Sequence, residues 1–198
     1  SNRSYVHRMM ATYSSGIRED GWSYTFSGSR RSGNEGYTDG SSYDAYSLFT
    51  SIEKKINKNH SINFTSIFTP NKRGKASPNT QEVFDLKGIK YNEYWGYLNG
   101  RITNSRIKEV EEPILMLNHY WDVSENTSIY TNVAYQFGKI GNSRLDFNGG
   151  ANPSPAYYQS LPSFFVRNEN IPAAFESLQN FQNNGQVDWN RIYDANIT

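Results

Sequence analysis

Cysteine is absent from the 198 residues, which excludes a disulfide framework and any thiolate metal site. Charge of one sign is absent as well. Twenty Lys and Arg stand against 19 Asp and Glu, for a net charge of +1, so nothing electrostatic points to a nucleic-acid partner. No apolar run approaches the roughly 18 residues of a membrane helix, and the mean hydropathy of -0.77 is strongly polar. Catalytic signatures are missing too: no G-x-S-x-G elbow, phosphate loop, H-E-x-x-H or dinucleotide fingerprint occurs. We therefore expect neither an enzyme nor a cofactor. His7, His60 and His119 are widely separated and lack ligand spacing. Glu109, Glu111 and Glu112 cluster, but without the regular Asp/Asn spacing of a calcium loop. No metal site is expected.

What is present is aromatic. Phe, Tyr and Trp make up 15% of the chain, with 15 Tyr, 11 Phe and 4 Trp, whereas a disordered chain would be poor in them. They recur with period two, the signature of half-buried strands. In the stretch 22–29, Trp22, Tyr24 and Phe26 alternate with Ser23, Thr25, Ser27 and Ser29. In 46–53, Tyr46, Leu48, Thr50 and Ile52 oppose Ser47, Phe49, Ser51 and Glu53. Ile62, Phe64 and Phe68 oppose Asn63, Thr65 and Thr69, and Ile129, Val133, Tyr135 and Phe137 oppose Asn132 and Gln136. Two weaker stretches, 5–14 and 113–121, complete about six strands. Asn63-Phe64-Thr65 matches a glycosylation pattern but falls inside a strand and is discounted.

The connections alternate in length. Residues 16–21, 57–60 and 122–127 are short; 32–42 is intermediate; 71–112 and the region after 138 are long. Tight turns at one end and elaborate loops at the other are the pattern of an outer-membrane barrel, with periplasmic turns and extracellular loops. Low hydropathy fits as well, since only alternate residues of such a strand face lipid. The turns near Gly21, Lys58 and Ser124 are then periplasmic, while 33–40, 72–110 and 141–198 lie outside. Within the long loops, 80–86 and 173–181 have helical spacing. The expected fold is all-β: an antiparallel segment, about six strands, of a transmembrane β-barrel with long extracellular loops containing short helices. Six strands are fewer than the ~8 that a bacterial barrel needs, so residues 1–198 are read as part of a larger barrel domain.

Several motifs carry a resemblance. Gly21-Trp22-Ser23-Tyr24-Thr25 is followed by Ser29-Arg30-Arg31 and by Glu35-Gly36-Tyr37-Thr38-Asp39-Gly40. Tyr91-Asn92, Trp95-Gly96-Tyr97, Asn104-Ser105-Arg106 and Glu112-Pro113 come next, then Asn152-Pro153, Ala156-Tyr157-Tyr158 and Leu161-Pro162-Ser163. In order and spacing they resemble the TonB-dependent receptors of the Bacteroidetes type, nearest the members with a carboxypeptidase-like regulatory domain. The resemblance implies a plugged barrel of roughly 22 strands in the cell outer membrane. It also implies import of an oligosaccharide, peptide or siderophore, energised by TonB through the plug, with a surface lipoprotein as a possible further partner. Plug, TonB-contacting segment and barrel-closing strand have no counterpart in these residues.

Candidate ligand-binding residues are the loop aromatics Tyr94, Trp95 and Tyr97, beside Tyr91, and the pair Tyr157 and Tyr158 between Pro155 and Pro162. Each could stack on a ligand, although loop packing or an interfacial girdle is the more ordinary role of such residues. Arg30 and Arg31 suit lipopolysaccharide phosphates or plug carboxylates. Lys72, Arg73 and Lys75 read as an exposed basic loop tip. Two other classes compete: a soluble β-rich module for carbohydrate binding or cell-surface interaction, and an accessory domain of a glycan-degrading enzyme. The barrel reading requires Trp22, Tyr24, Phe26, Leu48, Ile52, Val133, Tyr135 and Phe137 to face lipid; the module reading buries them.

Overall fold

The computed structural model describes residues 7–197. Tyr5 of the first expected strand and Thr198 of the last loop lie outside them. Strands β1 (His7–Ser14), β2 (Trp22–Gly33), β3 (Ser42–Lys55) and β4 (His60–Phe68) run as an antiparallel meander. β5 (Asn71–Gly74) follows, then after a long insertion β8 (Ile107–Glu111), β9 (Ile114–Ser124), β10 (Thr127–Gln136) and β11 (Lys139–Asn142). The insertion carries α1 (Gln81–Lys87) and a small hairpin of β6 (Trp95–Leu98) and β7 (Arg101–Asn104). The chain ends in α2 (Pro162–Arg167), α3 (Ile171–Asn184) and α4 (Trp189–Ile197).

The nine segments of the large sheet are six long strands. β4 and β5 both pair with β3 in one unbroken register, Leu48 opposite Phe68 and Ala45 opposite Asn71. β8 and β9 likewise share the register that sets Ile67 opposite Ile114 and Asn71 opposite Val110. Two breaks fall at Pro70 and Pro113, which lack the N–H a ladder requires. The third, between β10 and β11, falls at Phe137-Gly138, in the register that sets Gln136 opposite Ile114 and Lys139 opposite Glu111. The ladder resumes at once, and Tyr46 N–H donates to the Pro70 carbonyl at 3.0 Å. Strand thus replaces part of the expected 71–112 loop. Lys72 and Arg73 sit on β5 rather than at a loop tip, and Lys72 pairs with Glu109 on β8 at 2.6 Å. Glu111 pairs with Lys139 at 3.2 Å.

Turn chemistry fixes the short end. Asn57 Oδ1 accepts the N–H groups of Asn59 (2.8 Å) and His60 (2.9 Å), closing the β3–β4 turn. Gly21, at φ +77°, ends the β1–β2 turn where a Cβ would lie 2.8 Å from the Lys55 carbonyl oxygen. β9 and β10 are joined by Glu125 and Asn126 alone. The longer connections all leave from the opposite end.

The two faces of the sheet differ sharply. One row reads Tyr24, Ile52, Phe64, Leu117, Val133 across five strands, and the row displaced by one residue reads Ser23, Glu53, Asn63, Asn118, Asn132. All eight residues expected to share a face do share it. In the central strands the apolar face is the more open one: Leu48 is 54% and Phe64 39% exposed, while Trp22, Tyr24 and Ile52 are half-buried. On the polar face only the middle of the sheet is sheltered, with Asn63 at 9% and Thr65 at 8% beside the half-buried Phe49, Ile67 and Ile114, while β10 is exposed on both faces. There Asn63 Nδ2 donates to Ser51 Oγ (2.9 Å), while its Oδ1 accepts from Thr65 Oγ1 (2.8 Å) and Asn118 Nδ2 (3.0 Å). In this central patch the apolar-in, polar-out order of a one-sided antiparallel sheet is reversed. Among the described residues the sheet has two unpaired edges, β1 on one side and β10 with β11 on the other.

The buried apolar core lies off the sheet, in the loop layer. Val83 of α1, Tyr91, Leu161 and Phe181 of α3 pack together, with Leu86 and Ala156 against them. Thr80 caps α1 and Asn170 caps α3 through their side-chain oxygens. Helices were expected at 80–86 and 173–181; α2, α4 and the β6–β7 hairpin were not.

Candidate functional site

The loop layer is clamped by two asparagines. Asn92 is fully buried, and its Nδ2 donates to the carbonyls of Asp39 (2.8 Å) and Lys75 (3.1 Å). Its Oδ1 accepts from the N–H of Ser77 (3.0 Å) and of Tyr94 (3.1 Å), so one amide ties three loop segments with its full hydrogen-bonding capacity. Asn104 repeats the device, donating to the carbonyls of Gly40 and Lys75, each at 2.9 Å, and accepting from Arg106 N–H at 2.8 Å. Glu82 anchors α2 by accepting from Ser163 N–H (2.9 Å) and Ser163 Oγ (2.7 Å). Glu93 holds the 152–156 segment through the Ser154 hydroxyl and the Ala156 N–H.

The five candidate aromatics fall into separate groups. Trp95 and Tyr97 form an edge-on pair on the hairpin at 5.5 Å, with Trp95 against Gly40 and Tyr97 exposed. The indole N–H of Trp95 is buried without a partner. Tyr157 and Tyr158 meet edge-on at 4.9 Å, and Tyr158 continues to Phe164 at 6.1 Å. Tyr94 lies beneath the Arg106 guanidinium, 5.4 Å from the ring centroid. Tyr91 belongs to the core rather than to an exposed platform: it is 3% exposed, and its hydroxyl donates to the Gly185 carbonyl at 2.5 Å.

Two cavities open on either side of the 152–155 segment. The larger, about 570 Å³, is lined by a polar stripe of α3 (Glu176, Asn180 and Asn184, one turn apart) facing Asn152, Gln159 and Arg191. The smaller, about 310 Å³, is walled by Tyr94 and Arg106 on one side and by Phe147 and Pro153 on the other. Of the candidate aromatics, Tyr94 alone lines either cavity. The α3 stripe was legible only as the polar complement of the helical spacing. Arg30 pairs bidentately with Asp44, at 3.2 and 3.1 Å, instead of standing free. His60 and His119, far apart in sequence, meet with Nδ1 and Nε2 3.0 Å apart. Among the described residues no group of three or more His, Asp or Glu side chains is placed to hold a metal.

Burial, with the nearby Glu93 carboxylate, pushes the Tyr91 hydroxyl well above the ordinary tyrosine range. A raised pKa favours the protonated form in the folded state. Stability is therefore intact below the unfolded tyrosine value of about 10 and falls as pH rises beyond it. The loop layer is expected to loosen in alkali, seen as a loss of amide protection around 181–185 beyond what base-catalysed exchange alone produces, and Tyr91→Phe should abolish that excess. An unchanged alkaline profile in the variant would assign it to another group.

No protein-family model, curated protein or solved structure matches the chain.

Proposed function

We propose that the chain is a barrel segment of an outer-membrane transporter of the TonB-dependent receptor class, its apolar sheet face toward lipid and its polar face toward a plugged lumen. It would receive energy from TonB through a plug and import a ligand captured in the loop layer, with a surface lipoprotein as a further partner. The observation that carries this reading is the reversal in the central strands: apolar side chains more open, small polar side chains sheltered and hydrogen-bonded to one another. Dimensions agree with it. From Trp22 to Arg30 on β2 the apolar face runs eight residue steps, roughly 26 Å along the strand or roughly 20 Å at a ~40° tilt, near the ~25 Å apolar band of such barrels. Aromatic and histidine side chains (Trp22, His60, His119, Trp121) mark its turn end. Ion pairs (Arg30–Asp44, Lys72–Glu109, Lys139–Glu111) mark its loop end. The open edges would be paired by further strands.

Fractionation of the full-length protein tests the proposal: it should sediment with outer membranes and require detergent for release. Recovery in the aqueous phase would instead favour a soluble β-rich binding module. A finer test is Leu48→Lys. Leu48 lies opposite Gly28, between the midpoint of the apolar band and its loop end, so in a bilayer the lysine should cost about 1–3 kcal/mol, whereas a water-facing lysine would be nearly neutral. Unfolding in lipid vesicles, compared with Ser47→Lys on the opposite face, reads the difference.

A further inference from the structure

We infer that the smaller cavity is a binding site for a carboxylate carried on a compact apolar body, the chemistry of a peptide C-terminus. Arg106 is held by its backbone N–H, which donates to Asn104 Oδ1, and its guanidinium lies over the Tyr94 ring. The contact leaves the guanidinium N–H donors without an oxygen partner, and their fork matches a carboxylate. Among the described residues no carboxylate lies within ion-pairing distance of Arg106, and its side chain makes no hydrogen bond.

Facing it across about 310 Å³ are Leu145, Phe147, Pro153 and Val187, a wall suited to an apolar side chain. Glu93 also lines the cavity, but one carboxylate oxygen is committed to Ser154 and to the Ala156 N–H. A single free cation beside an acidic neighbour suits a monoanion better than a phosphate dianion. The apolar wall and the guanidinium together suit a neutral sugar poorly. This names a ligand class for the loop layer and rests on the transporter reading for its physiological setting, though not for binding itself.

The test uses the full-length chain with N-acetylphenylalanine and its C-terminal amide, which differ only at the terminal group: the amide lacks the charge and has one acceptor oxygen in place of two. Saturation-transfer NMR and competition should show the carboxylate binding at least about tenfold more tightly than the amide, the size of a charge-assisted pair. Arg106→Gln should erase that preference and Arg106→Lys should keep part of it. Phe147→Ala should weaken both probes while leaving the preference intact. Equal affinity of the two probes for the unaltered protein, binding of neither, or an undiminished preference in folded Arg106→Gln would overturn the inference. If Arg106→Gln does not fold, the comparison of probes on the unaltered protein and on Phe147→Ala decides. Fractionation is a separate readout: a protein that prefers the carboxylate but stays in the aqueous phase keeps the site and loses the transporter reading.

Discussion

Alanine at position 92 is expected to unlock the loop layer while leaving the sheet standing. Asn92→Ala removes four hydrogen bonds at once, two donated to the carbonyls of Asp39 and Lys75 and two accepted from Ser77 and Tyr94. Their partners lie where water enters with difficulty, because Asn92 itself has no exposed surface. A buried polar group left without a partner costs about 1–3 kcal/mol, and partial rehydration keeps the sum for four groups to about 4 kcal/mol. Limited proteolysis should show new cleavage within 75–106, with the strands still protected. Cleavage kinetics identical to those of the unaltered protein would remove Asn92 from its central place. Asn92→Asp is a sharper control: it retains the acceptor but replaces both donors with charge facing two carbonyls, and should be no less damaging.

Gly40→Ala is the second large effect. The residue sits at φ +64°, and an added Cβ would lie 2.1 Å from Trp95 Cγ and 2.2 Å from its Cδ1. Left-handed backbone costs a non-glycine residue about 1–2 kcal/mol, and forcing the ring aside adds about 1–3 kcal/mol. The two contributions can be measured apart. Gly16 has nearly the same φ, +65°, with nothing within 4 Å of its added Cβ. Gly16→Ala should therefore cost the backbone part alone, and the excess at Gly40 reports the packing of Trp95. The tryptophan emission should shift in Gly40→Ala and stay fixed in Gly16→Ala. Equal costs at the two glycines would mean that the indole yields freely.

The sheet was largely legible in the sequence because its strands obey a local rule. Trp22, Tyr24 and Phe26, or Leu48 and Ile52, declare their face through spacing alone, and the short turns betray themselves through Gly21 and Asn57. The strand extensions beyond Pro70 and Pro113 were hidden, since proline normally ends a strand and pairing across it depends on a neighbour's register. The loop layer was hidden for a related reason. Nothing near Tyr91 says that its hydroxyl meets Gly185, and nothing near Glu82 says that it caps a helix starting at Pro162. The motif residues Asn92, Asn104 and Ser163 turned out to hold the scaffold around the cavities. The meeting of His60 with His119 arises solely from the register that sets His60 opposite Trp121 and Ile62 opposite His119.

The separation of sheet from loop core also sets an order of assembly. Hairpins such as β9–β10 close over two residues and can zip quickly, whereas the Tyr91–Gly185 bond joins groups 94 positions apart. Entropy of closure makes such distant contacts late ones. Until the final helices have emerged and docked, Val83 and Tyr91 have no Phe181 to pack against. The loop layer therefore matures after the strands it packs beside.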